Sequence, residues 1–254
     1  MVVSPDRERL LAAVERSPQA AAARERAGRV GLFTADGRIE DPVGSCPHVG
    51  HTRIGHCYGT FIGPRDVKFH RDLELEVAMG SAVTMFIPAF LRYDLREANG
   101  QWRIAELRAD WELPAMTLQF LRTGSRAASP ALQLSRGLLA NRGWRGTAGF
   151  VTGFRRVGAR HKRLVETFVG AVARGDKFAA HGVLSSTAPI TLGDDDPLDI
   201  AEFVEQLNGA GWTKMNSAGP TVTVSLPSAH GRGIMFADVS WRGDAINQIR
   251  YFPA

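Results

Sequence analysis

The sequence predicts an α+β protein made of two domains in tandem. In residues 1–123, helical periodicity comes first and alternating strand patterns follow, which is the order of an α+β fold. The same order of elements returns in residues 160–254. A length of 254 residues accommodates two domains of ordinary size, each with its own core. We therefore expect one domain over 1–123, a connecting segment over 124–159, and a second, degenerate domain over 160–254.

Helices are predicted at the start of the first domain. Apolar residues recur on one face of a helix over 5–16. Ser17 can cap a new helix and Pro18 suits its first turn, so the sequence predicts a restart there and a second helix to about Phe33. A turn, a short strand that Pro42 ends, and a third helix are then expected over residues 35–37, 38–41 and 50–61.

Long strands follow the helices of the first domain. Apolar and polar residues alternate over 67–77, as in a strand with one buried face. Further strands over 83–93 and 102–113 flank Asn99–Gly100, a pair that is typical of tight hairpin turns. The pattern predicts a meander of antiparallel strands behind the helices.

The second half of the chain shows the same kinds of helix and strand patterns. Helices are predicted over 161–174 and 178–185, and Asp196–Pro197 is interpreted as the start of a third helix with Asp196 as its cap. Strands are predicted over 188–192, 220–226, 233–241 and 245–252.

Positive charge is concentrated in one segment. The net charge is +5, yet no acidic residue lies between Glu112 and Glu166, where ten basic residues fall. The rest of the chain has 21 basic and 26 acidic residues, a net charge of −5. Such a block can bind an anionic partner such as lipid head groups, nucleic acid or an acidic protein. It can equally be a solvated linker whose arginines pair with acidic groups on the flanking domains.

The two cysteines and the lack of long apolar stretches predict a protein of a reducing compartment. Cys46 and Cys57 show no metal-ligand spacing and no disulfide framework, so we interpret them as free thiols in a reducing compartment. The chain starts with charged residues rather than with the apolar run of a signal peptide. No stretch approaches the roughly 18 apolar residues of a membrane span. A cytoplasmic protein is expected.

The run from Gly31 to Gly44 reads Gly-Leu-Phe-Thr-Ala-Asp-Gly-Arg-Ile-Glu-Asp-Pro-Val-Gly. It resembles the ketosteroid isomerase branch of the nuclear transport factor two-like superfamily, to which the SnoaL-like polyketide cyclases are related. The resemblance implies two tandem cone-shaped domains, each with helices packed on a curved, mostly antiparallel sheet and an apolar mouth for flat hydrophobic molecules. Because this fold hosts unrelated activities, the resemblance is more specific for fold than for chemistry.

Asp41 stands at the position of the general base of the isomerases. The resemblance implies that it moves a proton between carbons next to a carbonyl. A carboxylate in an apolar pocket has a raised pKa, so it can take and return a proton near neutral pH. Trp111 matches a pocket-lining aromatic residue of the family. The other residues expected to bind the substrate are Phe33, Tyr58, Phe61, Phe86 and Phe90.

The sequence departs from the isomerases at the oxyanion hole. The family uses a tyrosine on the first helix and a protonated aspartate on a strand. Residues 5–30 contain no tyrosine, and Ala89 stands at the strand position. Loss of one such donor costs roughly 100-fold or more in rate. A true steroid isomerase is therefore not expected.

His70 is a candidate for a second acid or base. With Asp72 and Glu74 it falls on one face of the predicted strand 67–77. If that face lines the pocket, His70 can act as the paired histidine of the superfamily's dehydratases does. If the face meets solvent, these are ordinary surface residues, and the more apolar opposite face favours this interpretation.

Two further carboxylates are candidates, each with an alternative interpretation. Asp110 could work with Asp41 on a water molecule, as in the epoxide hydrolases of the superfamily, although alternation places Asp110 and Trp111 on opposite faces of a strand. In the second half, Asp194 to Pro197 takes the place of the Asp-Pro motif, and Asp238 falls near the position of the oxyanion acid. The alternative is an acidic helix cap and a surface aspartate.

No metal or cofactor is predicted. His48, His51 and His56 cluster near the Asp-Pro loop, but they lack a third ligand at a convincing spacing. A phosphate-binding glycine-rich loop between a strand and a helix is also lacking.

Two functions follow as hypotheses. The first is an enzyme in which Asp41 acts as general acid and base on a hydrophobic, carbonyl-bearing molecule, giving isomerisation, cyclisation or dehydration. The second is a non-catalytic binder of an apolar ligand or lipid, which the basic segment 124–159 docks to an anionic membrane surface. Nucleic acid is not an expected partner, because the basic segment lacks regular aromatic interleaving. The expected assembly is a monomer whose two domains form a pseudo-dimer, or a homodimer.

Overall fold

The structure is a computed structural model that describes residues 5–23, 25–61, 66–69, 74–79, 83–127, 132, 158–228 and 231–253. The chain divides into two compact units, Met1–Phe154 and Arg155–Ala254. Each unit contains one six-stranded sheet together with helices, so the α+β prediction is confirmed.

In the first unit, helices come first, long strands follow, and one more helix comes after the last strand. Its helices are α1 (Pro5–Ala22), α2 (Arg26–Gly31), α3 (Gly50–Phe61) and α4 (Leu113–Arg122), and a short 3₁₀ turn at Gly124–Ala127 follows α4. Its strands are β1 (Phe33–Glu40), β2 (His48–Val49), β3 (Asp66–Phe69), β4 (Glu74–Met79), β5 (Val83–Ala98) and β6 (Gln101–Trp111). The sequence did not predict α4.

The first sheet has the strand order β2-β1-β6-β5-β4-β3. β1 pairs in parallel with β6, and the remaining neighbours are antiparallel. Parallel pairing brings the carboxyl ends of β1 and β6 to the same edge of the sheet. One apolar cluster joins α3 to the inner face of β1 and β6, through Phe33, Ile39, Ile54, Ile104 and Leu107.

The second unit repeats this arrangement. Its helices are α5 (Ala159–Ala173), α6 (Lys177–His181) and α7 (Ile200–Gln206). Its strands are β7 (Ile190–Leu192), β8 (Asp196–Pro197), β9 (Lys214–Ala218), β10 (Thr221–Ser228), β11 (Gly231–Val239) and β12 (Ile246–Phe252).

The strand order of the second sheet is β8-β7-β12-β11-β10-β9, and β7 pairs in parallel with β12. Strand for strand, this is the order of the first sheet, and in both units two helices come before the first strand and a third follows the second strand. The two units therefore share one topology.

Helix α1 runs unbroken through Pro18, so the predicted restart at Ser17 is wrong. Proline lacks an N–H and removes one helical hydrogen bond. However, Ala13, Ser17 and Ala21 lie four residues apart and are only 0–3% exposed, so the packing of one continuous face keeps the helix intact. The break comes later, between α1 and α2.

The predicted strand over 67–77 is a pair of strands. β3 and β4 lie antiparallel, with Val67 opposite Val77. Alternation cannot distinguish one long strand from two strands that a tight connection joins, because both keep the period of two. His70 and Asp72 fall between the two strands and lie outside the described residues.

Asp196–Pro197 forms strand β8 rather than the start of a helix, which corrects the predicted cap. Asp196 pairs with Leu192 of β7. The cap of α7 is Asp199, whose side chain accepts a hydrogen bond from Ala201 N at 2.7 Å. Both aspartates can cap a helix, and strand pairing decides between them. The sequence also did not predict β9.

The basic segment 124–159 lies mostly outside the described residues, so its role stays a prediction. Among the helices that the structure describes, none combines the length and the apolar character that crossing a membrane requires.

Gly37 allows a bulge in β1. Phe33 pairs with Ile104 and Arg38 with Glu106, so β1 advances by five residues where β6 advances by two. The turn predicted at 35–37 is thus a bulge inside a longer strand. A Cβ on Gly37 would lie 2.9 Å from the Cβ of Phe33, which is wholly buried.

We expect Gly37→Ala to lower the free energy of unfolding by about 1–3 kcal/mol, because the added methyl group overlaps the backbone and a core side chain. Urea unfolding measures this change. Gly31→Ala is the control, since a Cβ there meets nothing within 4 Å. Equal stability of the two variants would contradict the role of Gly37.

Candidate functional site

Asp41 follows β1 directly and opens a loop that is fixed against β6. The Asp41–Pro42 peptide bond is cis. Val43 N donates a hydrogen bond to Ala109 O at 2.9 Å, and Gly44 N donates to Glu40 Oε1 at 2.8 Å. These bonds hold the half-buried Asp41 at the carboxyl end of β1.

Trp111, the last residue of β6, donates its indole Nε1–H to Asp41 Oδ1 at 2.6 Å. The contact joins residues 70 positions apart, because the parallel strands β1 and β6 end at the same edge. Trp111 lies opposite Ala89 of β5, so the two side chains share one face of the sheet. An indole N–H only donates, so the contact suits a carboxylate, the form of Asp41 that accepts a proton.

Tyr93 belongs to the same interior as Asp41. It lies four residues after Ala89 on β5 and therefore on the same face. Burial raises the pKa of Tyr93 above its ordinary value of 10.0; the Ser17 side chain and the charge of Arg29 oppose the rise, and the charge of Asp41 adds to it. The hydroxyl is therefore protonated at neutral pH and can donate a hydrogen bond.

Arg29 of α2 brings a positive charge into this interior, although it is only 6% exposed. Its Nη1 donates to Ser17 O of α1 at 3.3 Å. Its Cζ lies 5.9 Å from the centroid of the Tyr58 ring on α3, and Tyr58 is itself buried. Three helices thus surround one guanidinium group.

Sequence reasoning predicted Asp41, Tyr58 and Trp111 but missed Ser17, Arg29 and Tyr93. The alternation of β5 contained a signal for Tyr93, because it places this residue on the face of Ala89. Helix α2 has six residues and two arginines, which is too short for periodicity to show which arginine faces inward.

The structure places two of the predicted substrate-binding aromatic residues on the other face of β5. Phe86 is 50% exposed and alternates with the buried Met85 and Ile87. Phe90 is buried, but it lies opposite Asp110 of β6 and not opposite Trp111. Their proposed role in binding is therefore withdrawn, because successive strand residues point to opposite faces.

Asp110 is 2% exposed and lies on the face of β6 opposite that of Trp111. Since Trp111 contacts Asp41, Asp110 does not share the face of that contact. Phe33 is wholly buried in the apolar cluster of the first unit, against which Tyr93 packs.

Among the remaining candidates of the first unit, Phe61 and His70 stay predictions. Phe61 ends α3, and its side chain lies outside the description, as does His70. His51 Nε2 lies 3.1 Å from Phe33 O, a contact with the backbone. Within the described ranges, no three His, Cys, Asp or Glu side chains are placed to hold a metal ion.

Asp238 in the second unit lies on the sheet face opposite the buried Ala237 and Val239. Its carboxylate accepts hydrogen bonds from Thr221 Oγ1 and from Arg250 Nη2, the latter at 3.0 Å. It therefore serves as a cross-strand ion pair outside the core, which corrects its predicted place as an oxyanion acid.

The interior of the second unit is filled. A wholly apolar pocket between α5, α7 and the sheet is too small to admit a water molecule; its lining residues are Phe168, Val169, Val172, Phe203, Leu207, Ala210, Leu226 and Met235. Asp194, Asp195 and Asp196 are all exposed. The described part of this unit buries only uncharged polar side chains, namely Thr191, Asn216, Ser217, Thr221, Thr223 and Ser225, whereas the first unit buries the charged Arg29.

No family model matches the chain, and no curated protein matches it. Three similar solved structures illustrate the resemblance. The Δ5-3-ketosteroid isomerase from Mycobacterium sp. is 23% identical, with a TM-score of 0.37, over 42% of this chain and 95% of that chain.

A Mycobacterium tuberculosis protein in complex with estradiol-17β-hemisuccinate is also 23% identical, with a TM-score of 0.36, over 41% of this chain and 94% of that chain. A ketosteroid isomerase-like protein from Erwinia carotovora atroseptica is 15% identical, with a TM-score of 0.35, over 43% of this chain and 98% of that chain. Each of these three similarities covers about two fifths of this chain.

We expect Tyr93→Phe to make stability less sensitive to alkaline pH. The pKa of Tyr93 is raised in the folded state, so its contribution is complete below the unfolded value of about 10 and is lost as the pH rises further. Urea unfolding between about pH 8 and pH 11 measures the slope. Burial also raises the pKa of Tyr251, so Tyr251→Phe should flatten the curve in the same direction. An unchanged slope in Tyr93→Phe would contradict the burial of its hydroxyl.

Proposed function

We propose that the first unit is a small-molecule enzyme in which Asp41 acts as general acid and base on a hydrophobic, carbonyl-bearing substrate. The observation that carries the proposal is the hydrogen bond from Trp111 to Asp41, which fixes a carboxylate on the side of the sheet that Trp111 shares with Tyr93. A general base needs such fixed geometry, since proton transfer requires hydrogen-bond reach to the substrate.

The chemistry balances with the groups present. Asp41 takes a proton from a carbon next to the carbonyl, and the electrons of the broken C–H bond move into an enolate whose charge rests on oxygen. The Tyr93 hydroxyl donates a hydrogen bond to that oxygen, which is the role of an oxyanion donor. Asp41 then returns the proton to another carbon for isomerisation. In cyclisation, the enolate carbon attacks a second carbonyl, whose oxygen takes the proton from Asp41 as the new C–C bond forms. In dehydration, the enolate re-forms its carbonyl and expels a β-hydroxyl group, which takes the proton from Asp41 and leaves as water.

Tyr93 addresses the departure noted in the sequence. Ala89, which is wholly buried, stands at the position of the family's strand acid, and the first helix contains no tyrosine. Tyr93 lies on the face of Ala89, and its pKa depends on the Ser17 side chain. We therefore assign the donor role to a different strand residue.

We expect Asp41→Asn to bind ligand and not convert it, because an amide keeps the shape of the side chain and cannot accept the proton. A panel of steroids, polyketides, terpenoids and fatty acids is screened by thermal stabilisation of the wild type and of Asp41→Asn, and then for turnover. A ligand that both proteins convert at the same rate would overturn the role of Asp41.

We expect Trp111→Phe to reduce turnover about tenfold or more, because a hydrogen bond to a charged group contributes about 1.5–3 kcal/mol. Steady-state kinetics measures the change. Trp102→Phe is the matched control: Trp102 lies on the same strand, nine residues from Trp111, at the hairpin end. Equal loss in the two variants would show that the effect is one of strand packing.

A non-catalytic binder of an apolar ligand or lipid is the second candidate. It is favoured by Ala89, since a methyl group stands where the family has an acid. In this case a ligand stabilises the wild type and Asp41→Asn equally and is never converted. Loss of vesicle binding after removal of the arginines of 124–159, most of which lie outside the described residues, would support docking to an anionic membrane.

A further inference from the structure

Arg29 differs from the partly buried arginines that form ion pairs. Arg92, Arg108 and Arg250 each have a carboxylate oxygen within 3.0–3.3 Å. Arg29 is more deeply buried, at 6% exposure, and forms no ion pair with any residue in the described ranges. It is therefore an exception that needs a physical explanation.

The contacts of Arg29 within the described residues use little of its capacity. A guanidinium group has five N–H donors, and the structure shows one of them on Ser17 O. The ring of Tyr58 faces the group at 5.9 Å, which is a weak cation–π distance. A buried charge is unfavourable unless it is both paired and hydrogen-bonded. A bound anion would complete the pairing of this charge.

The anion does not come from Asp41. Asp41 accepts its hydrogen bond from Trp111, and no ion pair between Asp41 and Arg29 is among the contacts of the described residues. The charges of both groups act on the hydroxyl of Tyr93, a residue that packs against the apolar cluster of β1 and β6. A ligand with its own negative charge would be repelled by Asp41 and attracted by Arg29.

We propose that Arg29 binds the carboxylate of the ligand, so that the substrate of this site is an apolar carboxylic acid rather than a neutral molecule. The inference rests on the proposed function for the identity of the site. It extends that function by naming the substrate class and the residue that selects it. A planar guanidinium group matches a carboxylate with two parallel hydrogen bonds.

The test compares 2-naphthoate with 2-naphthamide, a neutral molecule of the same shape, by calorimetry at pH 7. Wild-type protein should bind the acid about tenfold or more tightly than the amide. In Arg29→Met the two affinities should become equal within about twofold, because the charge is lost and the apolar bulk is kept. Arg29→Lys should keep part of the preference. Arg38→Met is the control, since Arg38 pairs with Glu106 and should leave the ratio unchanged.

Each outcome decides the proposal. Equal binding of acid and amide by the wild type, or no binding of the acid, overturns it. A preference for the acid that persists in Arg29→Met overturns it as well, and an unchanged circular dichroism spectrum shows that the variant is folded. The test needs no turnover, so it is separate from the Asp41→Asn result. If the wild type converts a neutral ligand and Asp41→Asn does not, the role of Asp41 is supported and that of Arg29 is refuted.

Discussion

The parallel pairing of β1 with β6 is the constraint on which the first unit depends. It brings the carboxyl ends of two strands that are far apart in the sequence to the same edge of the sheet. Asp41 follows one strand and Trp111 ends the other, so the register of this pair sets the 2.6 Å hydrogen bond between them. The bulge at Gly37 belongs to the same pairing, because it accommodates the extra residues of β1 between Phe33 and Arg38, and the pairing is regular from Arg38 to Glu40.

Polar groups gather in the first unit at a place where burial makes them costly. Arg29 and Tyr58 come from short helices, and Tyr93 comes from the inner face of a long strand. Burial raises the pKa of Tyr93; the charge of Arg29 lowers this pKa and the charge of Asp41 raises it. A binding site tolerates such costs when a ligand completes the pairing, which is why we place chemistry here and not elsewhere in the chain.

The two units have one strand order but different interiors. In the second unit, Phe168 stacks on Phe203, Phe203 meets Tyr251 edge to face, and the pocket that Phe168 and Phe203 line has no room for water. Asp238 lies outside that core, in an ion pair with Arg250. A shared topology therefore does not carry a shared function, because function depends on which side chains the inner face presents.

The sequence by itself determined the α+β class and the repeated order of elements, because these depend on local periodicity, and through a short motif it singled out Asp41 as a candidate. It did not distinguish one long strand from the β3–β4 pair, since both keep a period of two. Only the tertiary structure decided which faces point inward. It removed Phe86 and Phe90 from the candidate site and brought in Arg29 and Tyr93, because burial and partners arise from contacts between residues far apart in the chain.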